Sequence, residues 1–120
     1  MASRGRGARV KGASFEREIA KLLAEKTGLE AKRGLGQARL GGSEVADVEI
    51  DHIHIEAKRQ IKCNIKAAMK QAIADSTNKK KPPVVITKDD FEPILVTMLF
   101  DDWVAFFNSY LATHKIPSEE

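Results

Sequence analysis

The chain has 120 residues, 42% of them hydrophobic and 31% charged, with a formal net charge of +3. That length supports one domain with a modest core and leaves little room for a second. The balance excludes a disordered chain, and the lack of any long apolar run excludes a helical membrane span.

A single cysteine, Cys63, excludes an intramolecular disulfide and a cysteine zinc cluster, and is expected to be a small buried or half-buried residue. Basic residues at the N-terminus are followed by no hydrophobic stretch, so no secretory signal is expected and the protein is placed in the cytoplasm. Charge is unevenly spread: residues 1–40 hold ten Lys/Arg against four Glu, and residues 41–120 hold ten against thirteen acidic residues. A basic front half beside a patch of carboxylates suits a polyanionic partner approached through a metal.

Residues 1–12 are rich in glycine and arginine and are expected to form a flexible basic arm, with residues 13–116 as the domain. Arg4, Arg6, Arg9 and Lys11 make that arm a candidate contact for a nucleic-acid backbone. Ser14 is the expected N-cap of a helix running to about Thr27, with Phe15, Ile19, Leu22 and Leu23 as its apolar stripe and Gly28 at the C-cap. Glu16 and Glu18 lie at opposite edges of that stripe, and periodicity does not choose between them. Residues 29–33 read as a first strand. Four glycines among residues 34–43 then mark a sharply bending loop, with Arg33, Gln37 and Arg39 as its polar contacts.

The run from Ala46 to Lys58 alternates with a period of two, the signature of a β-hairpin with one dry and one wet face. Asp47, Glu49, His54, Glu56 and Lys58 share the wet face; Val48, Ile50, Ile53, Ile55 and Ala57 share the dry one. A turn at Asp51-His52 pairs residues whose numbers sum to 103, setting Val48 against Ile55 and Ile50 against Ile53. The same register sets Asp47 against Glu56, where like charges repel unless a cation lies between them.

A helix is expected over residues 63–78, carrying a narrow stripe of Ile65, Ala68, Met69, Ala72 and Ile73 and a basic ridge of Lys62, Lys66 and Lys70. Two apolar strands, at residues 84–87 and 94–100, are expected inside a covered sheet. A last helix, capped by Asp101 or Asp102 and reaching about His114, bears Trp103, Phe106, Phe107, Tyr110 and Leu111 at helical spacing. Most of those are expected in the core, with a dimer contact as a second role. The order α-β-β-β-α-β-β-α predicts a single α/β domain with a mixed five-stranded central sheet flanked by helices.

Asp47 and Glu56 supply the hard oxygen ligands that Mg²⁺ and Mn²⁺ prefer. Lys58, two residues past Glu56, points to the same face, where an ammonium orients or deprotonates an attacking water and stabilises a pentacovalent phosphate. These groups fit metal-assisted phosphodiester hydrolysis, with Mg²⁺ as the cofactor and Mn²⁺ as a substitute.

Asp47…Glu56-Ala57-Lys58 resembles the signature of the PD-(D/E)XK nuclease superfamily, here without the proline before the aspartate. The stretch Lys11-Gly-Ala-Ser-Phe-Glu-Arg-Glu-Ile19 resembles the first helix of archaeal-type Holliday junction resolvases, and the likeness runs from about Gly12 to Ile86. It implies a restriction-endonuclease-like fold, with Glu16 rather than Glu18 completing the metal site beside Asp47 and Glu56. It also implies DNA contacts from Arg17, Arg33 and Ser43, and a homodimer making paired nicks in four-way DNA junctions. One departure is the loop from Gly34 to Ser43, longer than in the archaeal enzymes. A small protein of this kind also fits a phage or mobile element.

Three rivals follow from the same residues. One is a sibling nuclease acting on nicked, flapped or duplex DNA. Another is a transition-metal site at His52-x-His54-x-Glu56, set against the expectation that both histidines face solvent. The last is a DNA-binding module without catalysis.

Overall fold

The computed structural model describes residues 3–34 and 46–114, and among residues 3–9 only Gly7 has a described environment. The elements are α1 (Ser3–Thr27), β1 (Ala31–Arg33), β2 (Val48–Ile50), β3 (Ile53–Gln60), α2 (Ile65–Ser76), β4 (Pro83–Asp89), β5 (Leu95–Met98) and α3 (Phe100–Thr113). Their order is the expected one, and the five strands form a single mixed sheet in the order β1-β2-β3-β4-β5. Only the β3–β4 pair is parallel; the other three pairs are antiparallel.

α1 begins at Ser3, ahead of the Ser14 cap that the sequence suggests. It ends where expected: Gly28 takes φ +76°, a left-handed conformation that favours glycine, and its N–H donates to the Ala24 carbonyl at 3.0 Å. Phe15, Ile19 and Ala20 are buried against Val48, Ile50, Ile55, Ala57, Val84 and Ile86. Burying a side chain the size of Phe15 or Ile19 contributes about 1.5–3 kcal/mol, so these two contacts seat α1 on one face of the sheet.

β2 and β3 pair in the predicted register, with Val48 opposite Ile55 and Ile50 opposite Ile53. His52 takes the tight turn at φ 82°. Because β3 and β4 are parallel, the chain must cross between their ends, and α2 is that crossover. Asn64 caps it by accepting the Ala67 N–H at 3.0 Å. Its small stripe of Ala68, Met69 and Ala72 packs closely on Val85.

Two expectations fail here. The supposed wet face of the hairpin is covered at β3, because α2 lies over it: His54 is 1% exposed and Glu56 0%. The second is the core role of the C-terminal elements. β5 is an edge strand with Leu95 at 49% and Val96 at 62% exposure, and α3 buries no residue at all. Trp103 stacks between Phe100 and Phe107 in an open ladder, with ring centroids 6.3 and 5.2 Å apart. Amphipathic spacing shows that a helix has an apolar face, not which surface will cover it. Neither aspartate caps α3 through its side chain; the N-cap is Leu99, and Asp101 and Asp102 lie in the first turn, where their charge suits the helix dipole.

Candidate active site

Asp47 stands at the point where β2 parts from β3. Its N–H donates to the Ile55 carbonyl at 2.9 Å, and its Oδ2 accepts the Ala57 N–H at 2.9 Å. The side chain thus closes the ladder that the backbone leaves open. Asp47 is buried, and the β2–β3 register extended by one residue sets it against Glu56.

Glu56 projects from β3 to the α2 side of the sheet. Its Oε1 lies 3.3 Å from His54 Nε2, while its Oε2 has no hydrogen-bond partner. Burial pushes its carboxyl up to about 9, and the nearby carboxylates of Asp47 and Asp75 add to the effect. In the protein without a cation, Glu56 is therefore held protonated at neutral pH. Burial likewise lowers the His54 imidazole, favouring its neutral form, and the charge of Lys79 acts in the same direction.

Glu16 lies on α1 beside the buried Phe15, half-buried, with its Oε1 accepting from Arg33 Nε at 2.6 Å. Burial raises its pKa and Arg33 opposes that; Asp47 raises it further and Lys58 lowers it. Glu16 is therefore within electrostatic reach of both Asp47 and Lys58, while Glu18 is exposed. Lys58 is half-buried on the wall of a cleft of about 140 Å³ between β3 and the start of α2, with Gln60, Asn64 and Gln71.

The remaining candidates divide. Lys11 Nζ is held by Asp90 Oδ1 at 2.8 Å, and Arg59 reaches the same carboxylate at 3.5 Å, tying α1 and β3 to the end of β4. Arg17 is exposed. Arg39 and Ser43 lie outside the described residues, as do the side chains of Arg4, Arg6 and Arg9. His52 is exposed in its turn, apart from the buried His54, so the two do not share a site.

One residue that sequence reasoning passed over is Asp75 of α2. It is buried, its Oδ2 is unpartnered, and it joins His54 and Glu56 in a group whose potential ligand atoms all lie within 4.8 Å of one another. The spacing held the clue, since Asp75 follows Ala68 and Ala72 on the buried stripe at i+7 and i+3.

Asp47, Glu56 and Glu16 each offer hard oxygens, and the charge of Asp47 reaches both glutamates, but among the described residues the group that brings its ligand atoms within 4.8 Å of one another is His54, Glu56 and Asp75. The family model described as "Phage putative PDDEXK endonuclease" matches residues 7–117, a span that holds Glu16, Asp47, Glu56 and Lys58. No curated protein matches the chain. Among the described residues, no helix is long and apolar enough to cross a membrane.

Proposed function

The chain belongs to the phage PD-(D/E)XK endonuclease family, and from that premise we propose that it cuts DNA at four-way junctions, hydrolysing phosphodiester bonds by paired nicks from a homodimer. The observation that carries the reading is the hairpin register, which brings Asp47 against Glu56 with Lys58 two residues further along β3. Glu16, Asp47 and Glu56 hold Mg²⁺, or Mn²⁺ in its place. A dication held there supplies charge stabilisation to a phosphate oxygen and makes bound water more acidic.

The protein's own part is placement and proton handling. Asp47 is fixed by the Ala57 N–H, and Glu16 by the Arg33 guanidinium, so neither carboxylate has to be ordered when DNA arrives. Lys58 orients or deprotonates the attacking water and stabilises the charge that develops on the phosphate. Exposed Arg17, with Arg4, Arg6, Arg9, Arg39 and Ser43, contacts the DNA backbone. Lys11 and Arg33 are engaged by Asp90 and Glu16 in the free protein and serve as DNA contacts only by exchanging those partners. The site of action is the cytoplasm of the phage's host.

The homodimer reading is supported by α3. A helix of 14 residues with none fully buried draws little stability from its own domain, and short isolated helices are marginal in water. Its aromatic ladder and the exposed edge of β5 form the surface on which a second copy docks.

The test is cleavage of a synthetic four-way junction and of linear duplex at equal Mg²⁺, with Asp47→Asn as control. Metal-dependent cutting that favours the junction is expected. Equal rates on both substrates would remove the junction preference and leave a duplex nuclease; DNA binding without cutting under any divalent cation would leave only a binding module.

A further inference from the structure

We infer that His54, Glu56 and Asp75 form a second cation site, buried between β3 and α2, that takes a transition dication such as Zn²⁺ or Mn²⁺ in preference to Mg²⁺. Three observations meet there. Glu56 Oε2 and Asp75 Oδ2 are both buried without a hydrogen-bond partner, on side chains that are 0% and 7% exposed. Buried polar atoms are paired in nearly all proteins, because an unpaired one retains its full desolvation cost. Two such oxygens on neighbouring carboxylates are satisfied either by a proton held between them or by a cation that displaces it.

The second observation is a distance. His54 Nε2 and Glu56 Oε1 lie 3.3 Å apart, long for a hydrogen bond between a ring nitrogen and a carboxylate. Ligands roughly 2.0–2.2 Å from one ion in a tetrahedral arrangement lie roughly 3.3–3.6 Å from each other, so this one separation suits two donors of a shared cation as well as it suits a long hydrogen bond. The third is the donor set. An imidazole with two carboxylates suits Zn²⁺, Mn²⁺ or Fe²⁺, whereas Mg²⁺ prefers oxygen donors and retains its waters.

Of the three residues, His54 also lines a cleft of about 380 Å³ that has Asp51, Lys79 and Lys81 at its walls. The site overlaps the proposed catalytic centre at Glu56, whose carboxyl feels both Asp47 and Asp75, and differs from it in the other two ligands. Glu56 belongs to both, so a cation bound by His54 and Asp75 fixes one of its oxygens and ties α2 to β3. The inference shares that one residue with the proposed nuclease site but does not depend on the reaction.

The experiment uses the full chain carrying Glu16→Gln and Asp47→Asn, which removes the two proposed catalytic ligands that the second site does not share and keeps Glu56 with His54 and Asp75. Thermal unfolding and calorimetric titration are followed with Zn²⁺, Mn²⁺ and Mg²⁺ after treatment with chelator. Zn²⁺ or Mn²⁺ is expected to bind at one ion per chain and raise the unfolding temperature, with Mg²⁺ ineffective at the same concentration. Adding His54→Gln or Asp75→Asn should weaken that binding by more than about 100-fold, beyond the roughly 10–100-fold that loss of an outer-shell partner costs. Co²⁺ provides a second readout: visible absorption bands present in the double variant and absent once His54 is replaced. Equal binding with and without His54 and Asp75, or no binding of any transition dication, would overturn the site. Failure of junction cleavage in the wild-type chain, with this binding intact, would count against the nuclease reading alone.

Discussion

The carboxylate of Asp47 accepts a hydrogen bond from the backbone N–H of Ala57, 2.9 Å away and ten residues along the chain. That one contact fixes the direction of Asp47 at the end of the β2–β3 ladder. It also joins the aspartate to the strand that carries Glu56 and Lys58. Asparagine keeps a side-chain oxygen at the same place but loses the charge.

Asp47→Asn is therefore expected to fold as the wild type and to lose cleavage by more than about 100-fold, the upper range for disturbing a metal site's outer shell. Junction binding in chelator should hold or improve, because a negative charge beside the phosphates is gone. Lys58→Ala should also bind and lose most turnover. Gel-shift and cleavage assays on the same preparations separate the two effects. Cleavage that survives Asp47→Asn would show that the catalytic centre lies elsewhere.

Glu56 gives the cation-free protein a pH-dependent stability. Its carboxyl ionises near 9 in the folded chain and near 4.5 when unperturbed. Between those values the folded state holds a proton that the unfolded state releases, so stability falls as pH rises. The contribution is complete below about 4.5 and lost as pH passes about 9. Unfolding temperatures in chelator, stepped from acidic to alkaline pH, should fall in the wild type and flatten in Glu56→Gln. Parallel curves for the two proteins would rule out this assignment.

How far the sequence reached depends on what kind of information alternation carries. A period of two assigned Asp47, His54, Glu56 and Lys58 to one face and fixed the register between strands, because a one-residue slip would turn Val48, Ile50 and Ile55 out of the core. It said nothing of what lies on top. Burial of His54 and Glu56 comes from α2, and α2 covers them because β3 and β4 are parallel, a relation between segments some thirty residues apart. Asp75 was hidden for a related reason: a helical stripe is recognised by its apolar members, so a carboxylate at the same spacing is passed over. The aromatic stripe of α3 reads as core in the sequence because its spacing is the same whether the helix face is covered or exposed.

The Arg33–Glu16 pair separates two roles for Arg33. Its guanidinium lowers the pKa of Glu16 against the raising effect of burial. In Arg33→Ala that carboxyl should ionise at higher pH, and the acidic limb of the pH–rate profile for cleavage should move up with it. A purely DNA-contacting Arg33 would leave the limb in place and reduce the slope of log binding constant against log salt by about one. Half-buried ion pairs of this kind add only about 1 kcal/mol or less to stability, so the variant should remain folded.

α3 carries the last prediction. With none of its residues buried, Trp103 and Phe107 can be replaced by glutamate without opening the domain's core. The unfolding temperature of dilute protein should change little, as surface substitutions fall within about 0.5 kcal/mol. Self-association should be lost, and with it the pairing of nicks, leaving single cuts in one arm of a junction. Analytical ultracentrifugation over a range of concentrations reads the first effect, and denaturing gels of a junction held in supercoiled plasmid read the second. A dimer that persists in Trp103→Glu/Phe107→Glu would move the interface away from this helix. A wild-type chain that stays monomeric at every concentration, and still cuts both strands, would remove the homodimer from the mechanism.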